Sequence, residues 1–138
     1  AYRCYTVYTL TNKRAYTMTT INTSTTVLND YTVEDLLTIK AAALQHAQDA
    51  AVASIEANGE LGYCGFASVN IHGIKGNTKL GKRMKAAGFE KDYTGAYSIW
   101  NPSGLGTQCM YTKEQGAYAA AKVFSAAGFT AYAGSRAD

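Results

Sequence analysis

Threonine, tyrosine and valine crowd the start of the chain in two β-favouring runs, Tyr2 to Leu10 and Ala15 to Ile21, separated by the polar Thr11-Asn12-Lys13-Arg14. This pattern predicts an N-terminal β-hairpin, followed by a polar connector over Asn22 to Thr26. From Thr32 the period changes. Val33, Leu36, Leu37, Leu44, Ala47, Ala51 and Ile55 recur at three- and four-residue steps and mark the buried stripe of a long helix over 32–58. Thr32 with Asp35 forms an imperfect capping box. Asn58-Gly59 closes the helix, because glycine accepts the left-handed conformation without a Cβ clash.

The rest of the chain alternates. Phe66 to His72 reads as a strand, Thr78 to Ala87 as a helix, Ala96 to Trp100 as a second strand, and Asn101-Pro102-Ser103-Gly104 as a turn. Thr107 to Tyr111 reads as a third strand. Thr112 with Gln115 would cap a last helix, and Thr130 to Ala133 is the closing strand. Ala86-Ala87-Gly88-Phe89 recurs as Ala126-Ala127-Gly128-Phe129, each a helix end with a cap glycine and an apolar residue that folds back. The expected fold is therefore α+β, a ferredoxin-like β-α-β-β-α-β sandwich preceded by a β-hairpin and a long helix. As one domain, 1–138 divides into hairpin and connector (1–31), long helix (32–58) and core (62–138).

Strand alternation assigns faces. Ala67, Val69 and Ile71 should meet the helices, leaving Phe66, Ser68, Asn70 and His72 opposite. If Trp100 and Gln108 align with them, that face carries aromatic and amide groups of the kind that stack bases. The hairpin and long helix also need somewhere to pack, and this face is the expected place. A lone histidine there is first a hydrogen-bonded structural residue.

Composition narrows the classes. The chain has 138 residues, 47% hydrophobic and 17% charged with one proline, which excludes a disordered or collagen-like chain. No stretch nears the roughly 18 apolar residues of a membrane span, and no basic-then-apolar leader opens the chain, so no membrane role is expected. Cys4, Cys64 and Cys109 are widely spaced and odd in number, which reads as reduced thiols in the cytoplasm. A Cys3His site with His72 is disfavoured because structural zinc ligands come in close pairs. Neither metal nor cofactor is expected.

The formal charge is +3, and its placement matters more than its size. Lys75, Lys79, Lys82, Arg83 and Lys85 crowd one helix start, with no acid until Glu90. A bound anion would relieve this repulsion, and Asn77 beside Gly76 would suit close approach to the helix amides. A solvated basic face is the competing explanation. Gly76 to Lys82 also fits G-x-x-x-x-G-K. However, Arg83 stands where a phosphate-binding loop needs a serine or threonine for magnesium, so nucleotide hydrolysis is not expected. The tail Gly134-Ser135-Arg136 is either an anion clamp or a frayed terminus.

Gly65-Phe66-Ala67-Ser68-Val69, Tyr97-Ser98-Ile99-Trp100-Asn101-Pro102 and Ala131-Tyr132-Ala133-Gly134-Ser135-Arg136 resemble strings in small uncharacterised proteins encoded by tailed bacteriophages. The resemblance covers 62–138 and implies action in an infected bacterial cytoplasm or a minor virion role. It carries no catalytic residues across.

Three functional classes follow. The leading one is a non-enzymatic protein binding nucleic acid or a nucleotide-like ligand through Lys75, Asn77, Lys79, Lys82, Arg83 and Lys85. Asn70, His72, Trp100, Gln108 and Arg136 are its secondary contacts. The second is a protein–protein module, directed at a host protein or forming a homo-oligomer, which the eleven tyrosines favour. The third is a small enzyme with His72 as general base.

Overall fold

The computed structural model describes residues 2–11, 15–24, 27–60 and 62–137. Strands β1 (Tyr2–Thr11) and β2 (Ala15–Ser24) pair antiparallel as a separate two-stranded sheet. The expected turn at 12–14 lies outside the described residues. A short helix α1 (Val27–Asp30) leads into α2 (Val33–Asn58). Then come β3 (Gly65–His72), α3 (Lys79–Ala86), β4 (Glu90–Lys91), β5 (Tyr97–Trp100), α4 (Met110–Ala126) and β6 (Thr130–Ala137). The fold is α+β. Its described residues form four helices and a four-stranded antiparallel sheet of order β4-β5-β3-β6, beside the β1-β2 pair.

Both ends of α2 follow from local chemistry. The Thr32 amide donates to the Asp35 carboxylate at 3.0 Å and the Asp35 amide donates to Thr32 Oγ1 at 3.2 Å, so the capping box is complete. Gly59, at φ +69°, closes the other end with its amide on the Ile55 carbonyl. The buried stripe is Leu36, Ile39, Ala43, Ala47, Ala51 and Ser54, with Ala42 beside it. Leu37, expected inside, is 47% exposed. Small residues set the contact line here. They let α2 settle against α4 at close range, and the larger side chains fall to its margin.

The repeated Ala-Ala-Gly-Phe builds the centre of the core. In both copies glycine takes positive φ, and the phenylalanine amide reaches back to a carbonyl of the last helical turn, Phe89 to Met84 and Phe129 to Phe124, each at 3.0 Å. The two rings thereby meet Phe124 edge-on, at 5.9 and 6.1 Å, and Tyr31 stacks on Phe129. Val69, Ile71, Leu80, Met84 and Tyr97 complete one cluster between the helices and a single face of the sheet.

Four expectations are corrected. Residues 107–109 form no strand, because the loop that opens at Asn101-Pro102 runs on to the start of α4, and Cys109 alone makes one bridge, to Cys64. The missing strand is the two-residue β4, whose Glu-Lys composition gives no β signal. It pairs with β5 across a turn closed by the Asp92 amide on the Ala96 carbonyl. Thr112 is not a cap but a buried residue inside α4, and Cys109 occupies the N-cap position. Finally, 134–137 are paired with β3 rather than frayed.

Phe124 is fully buried where both glycine-terminated helix ends converge. Phe124→Ala should cost about 3–5 kcal/mol in urea unfolding. Tyr118→Ala, on the exposed side of the same helix, should stay within about 0.5 kcal/mol of the parent. Equal costs for the two would place the core wrongly.

Candidate functional site

Register decides what the open sheet face presents. Ser68 pairs with Trp100 and Gly134, Asn70 with Ser98 and Tyr132, and Phe66 with Arg136. All of these except Tyr132 line a groove of about 360 Å³, with Asp92, Tyr93 and Thr94 from the β4–β5 turn at its rim. Trp100 is 60% exposed and Tyr132 62%. The Phe66 ring meets Trp100 edge-on at 5.8 Å, and the Arg136 guanidinium lies 5.5 Å from the Phe66 centroid. From elsewhere Lys113, buried on α4, brings its Nζ to 5.0 Å from the same ring and donates to the Gly65 carbonyl at 2.8 Å. His72 lies tilted against Tyr132 at 5.9 Å. A Cβ at Gly134 would come within 3.0 Å of Asn70 Nδ2, so glycine there leaves room for the central amide.

The expectation that the N-terminal region covers this face is overturned. α2 packs on α4 and α3, and β1 lies against α2 and α4. No residue of α2 lines the groove. Asn70, His72, Trp100 and Arg136 are therefore together on one surface. Gln108 is not, because it lies on the 101–109 loop, exposed beside Cys64 and Cys109. Phe66, which strand alternation assigns to this face, lines the groove as well, and Tyr132 stands on the same face opposite Asn70.

The basic segment divides. Lys82 and Lys85 line a cleft of about 730 Å³ with Gly76, Phe89, Glu90, Lys91 and Tyr97. Lys91 belongs to β4 and not to the basic helix. It arrives across β4, its Nζ 5.3 Å from the Tyr97 ring. The Tyr97 hydroxyl donates to the Gly81 carbonyl, and burial raises its pKa above 10.0. Lys75, Asn77 and Lys79 are exposed beside this cleft but do not line it. Arg83 turns away and donates to the carbonyls of Asn29, at 2.8 Å, and Tyr31, at 3.2 Å, tying α3 to α1 and to the link between α1 and α2.

The glycine spacing also has a packing explanation. A Cβ on Gly81 would collide with the Lys75 carbonyl and the Gly76 backbone, so the loop can cross the helix only there. Thr78 caps α3, with its Oγ1 accepting from the Gly81 amide at 3.1 Å and donating to the Lys75 carbonyl at 2.6 Å. An anion at this end would meet an N-terminus already capped, so the contacts available in the cleft are mainly side-chain cations.

No protein-family model, curated protein or solved structure matches the chain. The functional argument rests on the two surfaces themselves.

Asp92, at the groove rim, accepts hydrogen bonds from the Thr94 hydroxyl and from the amides of Thr94 and Ala96. Chiefly through the Thr94 hydroxyl, its pKa falls below 3.8. A carboxylate held below its unfolded value stabilises the turn above that value and loses the contribution as pH falls through the lowered one. The Thr94 and Ala96 amide resonances should therefore titrate together below pH 3.8, and Asp92→Asn should abolish the transition. Amides that stay unchanged through acidification would contradict the assignment.

Proposed function

We propose that the protein is a non-enzymatic binding module for an anionic partner, and that the partner is single-stranded nucleic acid laid across the open sheet face. The carrying observation is the groove, where Phe66 and Trp100 stand with Ser68 and Asn70 and Arg136 flanks Phe66, with Tyr132 exposed on the same face opposite Asn70. Bases have two apolar faces and stack on exposed rings regardless of sequence, and a guanidinium beside the rings neutralises phosphate. Lys82, Lys85 and Lys91 add a second cationic surface beyond the β4 edge, suited to phosphates outside the groove or to a nucleotide-like ligand. The order β4-β5-β3-β6, with α3 and α4 as crossovers, supports a ferredoxin-like reading of the core behind an N-terminal hairpin. In such a core β3 and β5 are the central strands, and they carry Phe66 and Trp100. The tailed-phage resemblance makes the infected bacterial cytoplasm the compartment we propose.

Trp100 is the single tryptophan, so binding has a built-in reporter. Titration with a short single-stranded oligonucleotide should quench its emission, and affinity should fall linearly with the logarithm of salt concentration. Trp100→Ala or Tyr132→Ala, followed with a labelled oligonucleotide, should each cost about 1–3 kcal/mol, roughly 5- to 150-fold. Arg136→Gln should reduce the salt slope by about 1. Absence of quenching at low salt sinks the reading. Binding abolished by Lys82→Glu but untouched by Trp100→Ala would move the site to the cleft.

A second reading has its own support. β6 pairs only with β3, so its outer edge is unpaired within the described sheet, and Tyr63, Tyr93, Tyr111 and Tyr118 are exposed elsewhere. Unprotected edges pair with other strands, and tyrosine is enriched at interfaces. On this reading the chain self-associates through β6. Sedimentation velocity should then give a mass that rises with concentration above 14.8 kDa, and a constant mass at that value excludes it.

A further inference from the structure

Cys64 and Cys109 are far apart in sequence but directly opposed in space. They form an isolated antiparallel bridge at the junction where the chain enters β3 and α4. The Met110 amide donates to the Tyr63 carbonyl at 2.8 Å and the Gly65 amide to the Gln108 carbonyl at 3.2 Å. These bonds flank the two cysteines, so the cysteines are a non-hydrogen-bonded pair. In such pairs the Cα atoms lie about 4.5 Å apart and the side chains leave on the same face. Disulfides span Cα separations of roughly 4.4–6.8 Å, so closure needs no large backbone movement. Cys64 is exposed and Cys109 buried, and both line one small cleft with Glu60, Thr107 and Gln108. The junction is tightly fitted, since a Cβ on Gly65 would collide with the Met110 side chain and the Arg136 carbonyl.

We propose that Cys64 and Cys109 form a reversible dithiol–disulfide site that exchanges with thiol-derived disulfides. The exposed Cys64, as thiolate, attacks one sulfur of a disulfide RSSR. Its S–S bond breaks, and the departing thiolate takes up a proton as RSH. The mixed disulfide now on Cys64 faces Cys109, whose thiolate attacks Cys64 Sγ and expels the second RS⁻. Overall, two protein thiols and RSSR become one protein disulfide and two RSH, so the protein is oxidised and the small disulfide reduced. Cys109 suits the second step by position, since it caps α4. The Thr112 hydroxyl, foremost, and the amides of Thr112 and Tyr111 lower its pKa below 9.0. In a reducing cytoplasm the pair rests as thiols, and such intracellular disulfides are usually transient. Closure would staple the start of β3, two residues before Phe66, to the first turn of α4.

The test uses the full chain carrying Cys4→Ser, incubated folded with excess glutathione disulfide, alkylated and peptide-mapped. A Cys64–Cys109 linked peptide, reversed by dithiothreitol, is expected. Adding Cys109→Ser should instead leave a stable glutathione adduct on Cys64, showing which thiol reacts first. An adduct that persists on Cys64 while Cys109 is intact would overturn the proposal. So would an unmodified Cys64, or a link that forms only in denaturant.

Discussion

A sheet with one committed face governs the rest of the molecule. In β3, Ala67, Val69 and Ile71 are fully buried, and the alternating set, Phe66, Ser68, Asn70 and His72, is half-buried or exposed. Because strand side chains alternate strictly, a slip of one residue would bury serine and asparagine and expose valine and isoleucine. The neighbouring strands inherit the constraint through register. Tyr97 opposite Ile71 goes into the core, and Trp100 opposite Ser68 goes out. The groove is thus a consequence of how the core is filled.

Leaving that face open requires the helices to fit on the other side, and small residues make the room. Ala43, Ala47 and Ala51 are buried on α2, and Gly116, Ala117, Ala120 and Ala121 are buried on α4. A Cβ on Gly116 would reach 3.1 Å from the Ala47 carbonyl and 3.0 Å from Ser103 Cβ. Interiors pack at crystal-like density, so such approach gains contact for every neighbouring atom. With α2 held against α4 and α3, and the residues just before it tied to α3 by Arg83, little of it remains to seek the groove.

The sequence made legible whatever is encoded locally. The capping box at Thr32, the paired Ala-Ala-Gly-Phe terminators and the alternation of β3 could each be read from residues close in the chain. Helix α2's packing face could not, because alanine carries little amphipathic signal and the partner helix chooses the line of contact. Strand β4 escaped because its two residues are charged and held by pairing alone. Lys91 and the Cys64–Cys109 opposition escaped for one reason: both are created by long-range register, and spacing along the chain does not record it. The G-x-x-x-x-G-K string shows the converse, a chemical motif whose second glycine answers to backbone crowding.

β4 also gives the open face a polarity. Glu90 pairs with Ser98, a groove residue, while Lys91 pairs with Tyr97 and lies over its ring on the helical side. The rim of the groove on the β4 side carries Asp92, while Glu90 lines the neighbouring cleft, and the opposite rim carries Arg136. An anionic strand is repelled from the first rim and attracted to the second. On the proposed function the phosphate backbone runs along β6 past Arg136, with bases turned inward over Phe66 and Trp100. Lys82, Lys85 and Lys91 then lie across an acidic rim from the groove, so a single ligand occupying both surfaces would have to cross it.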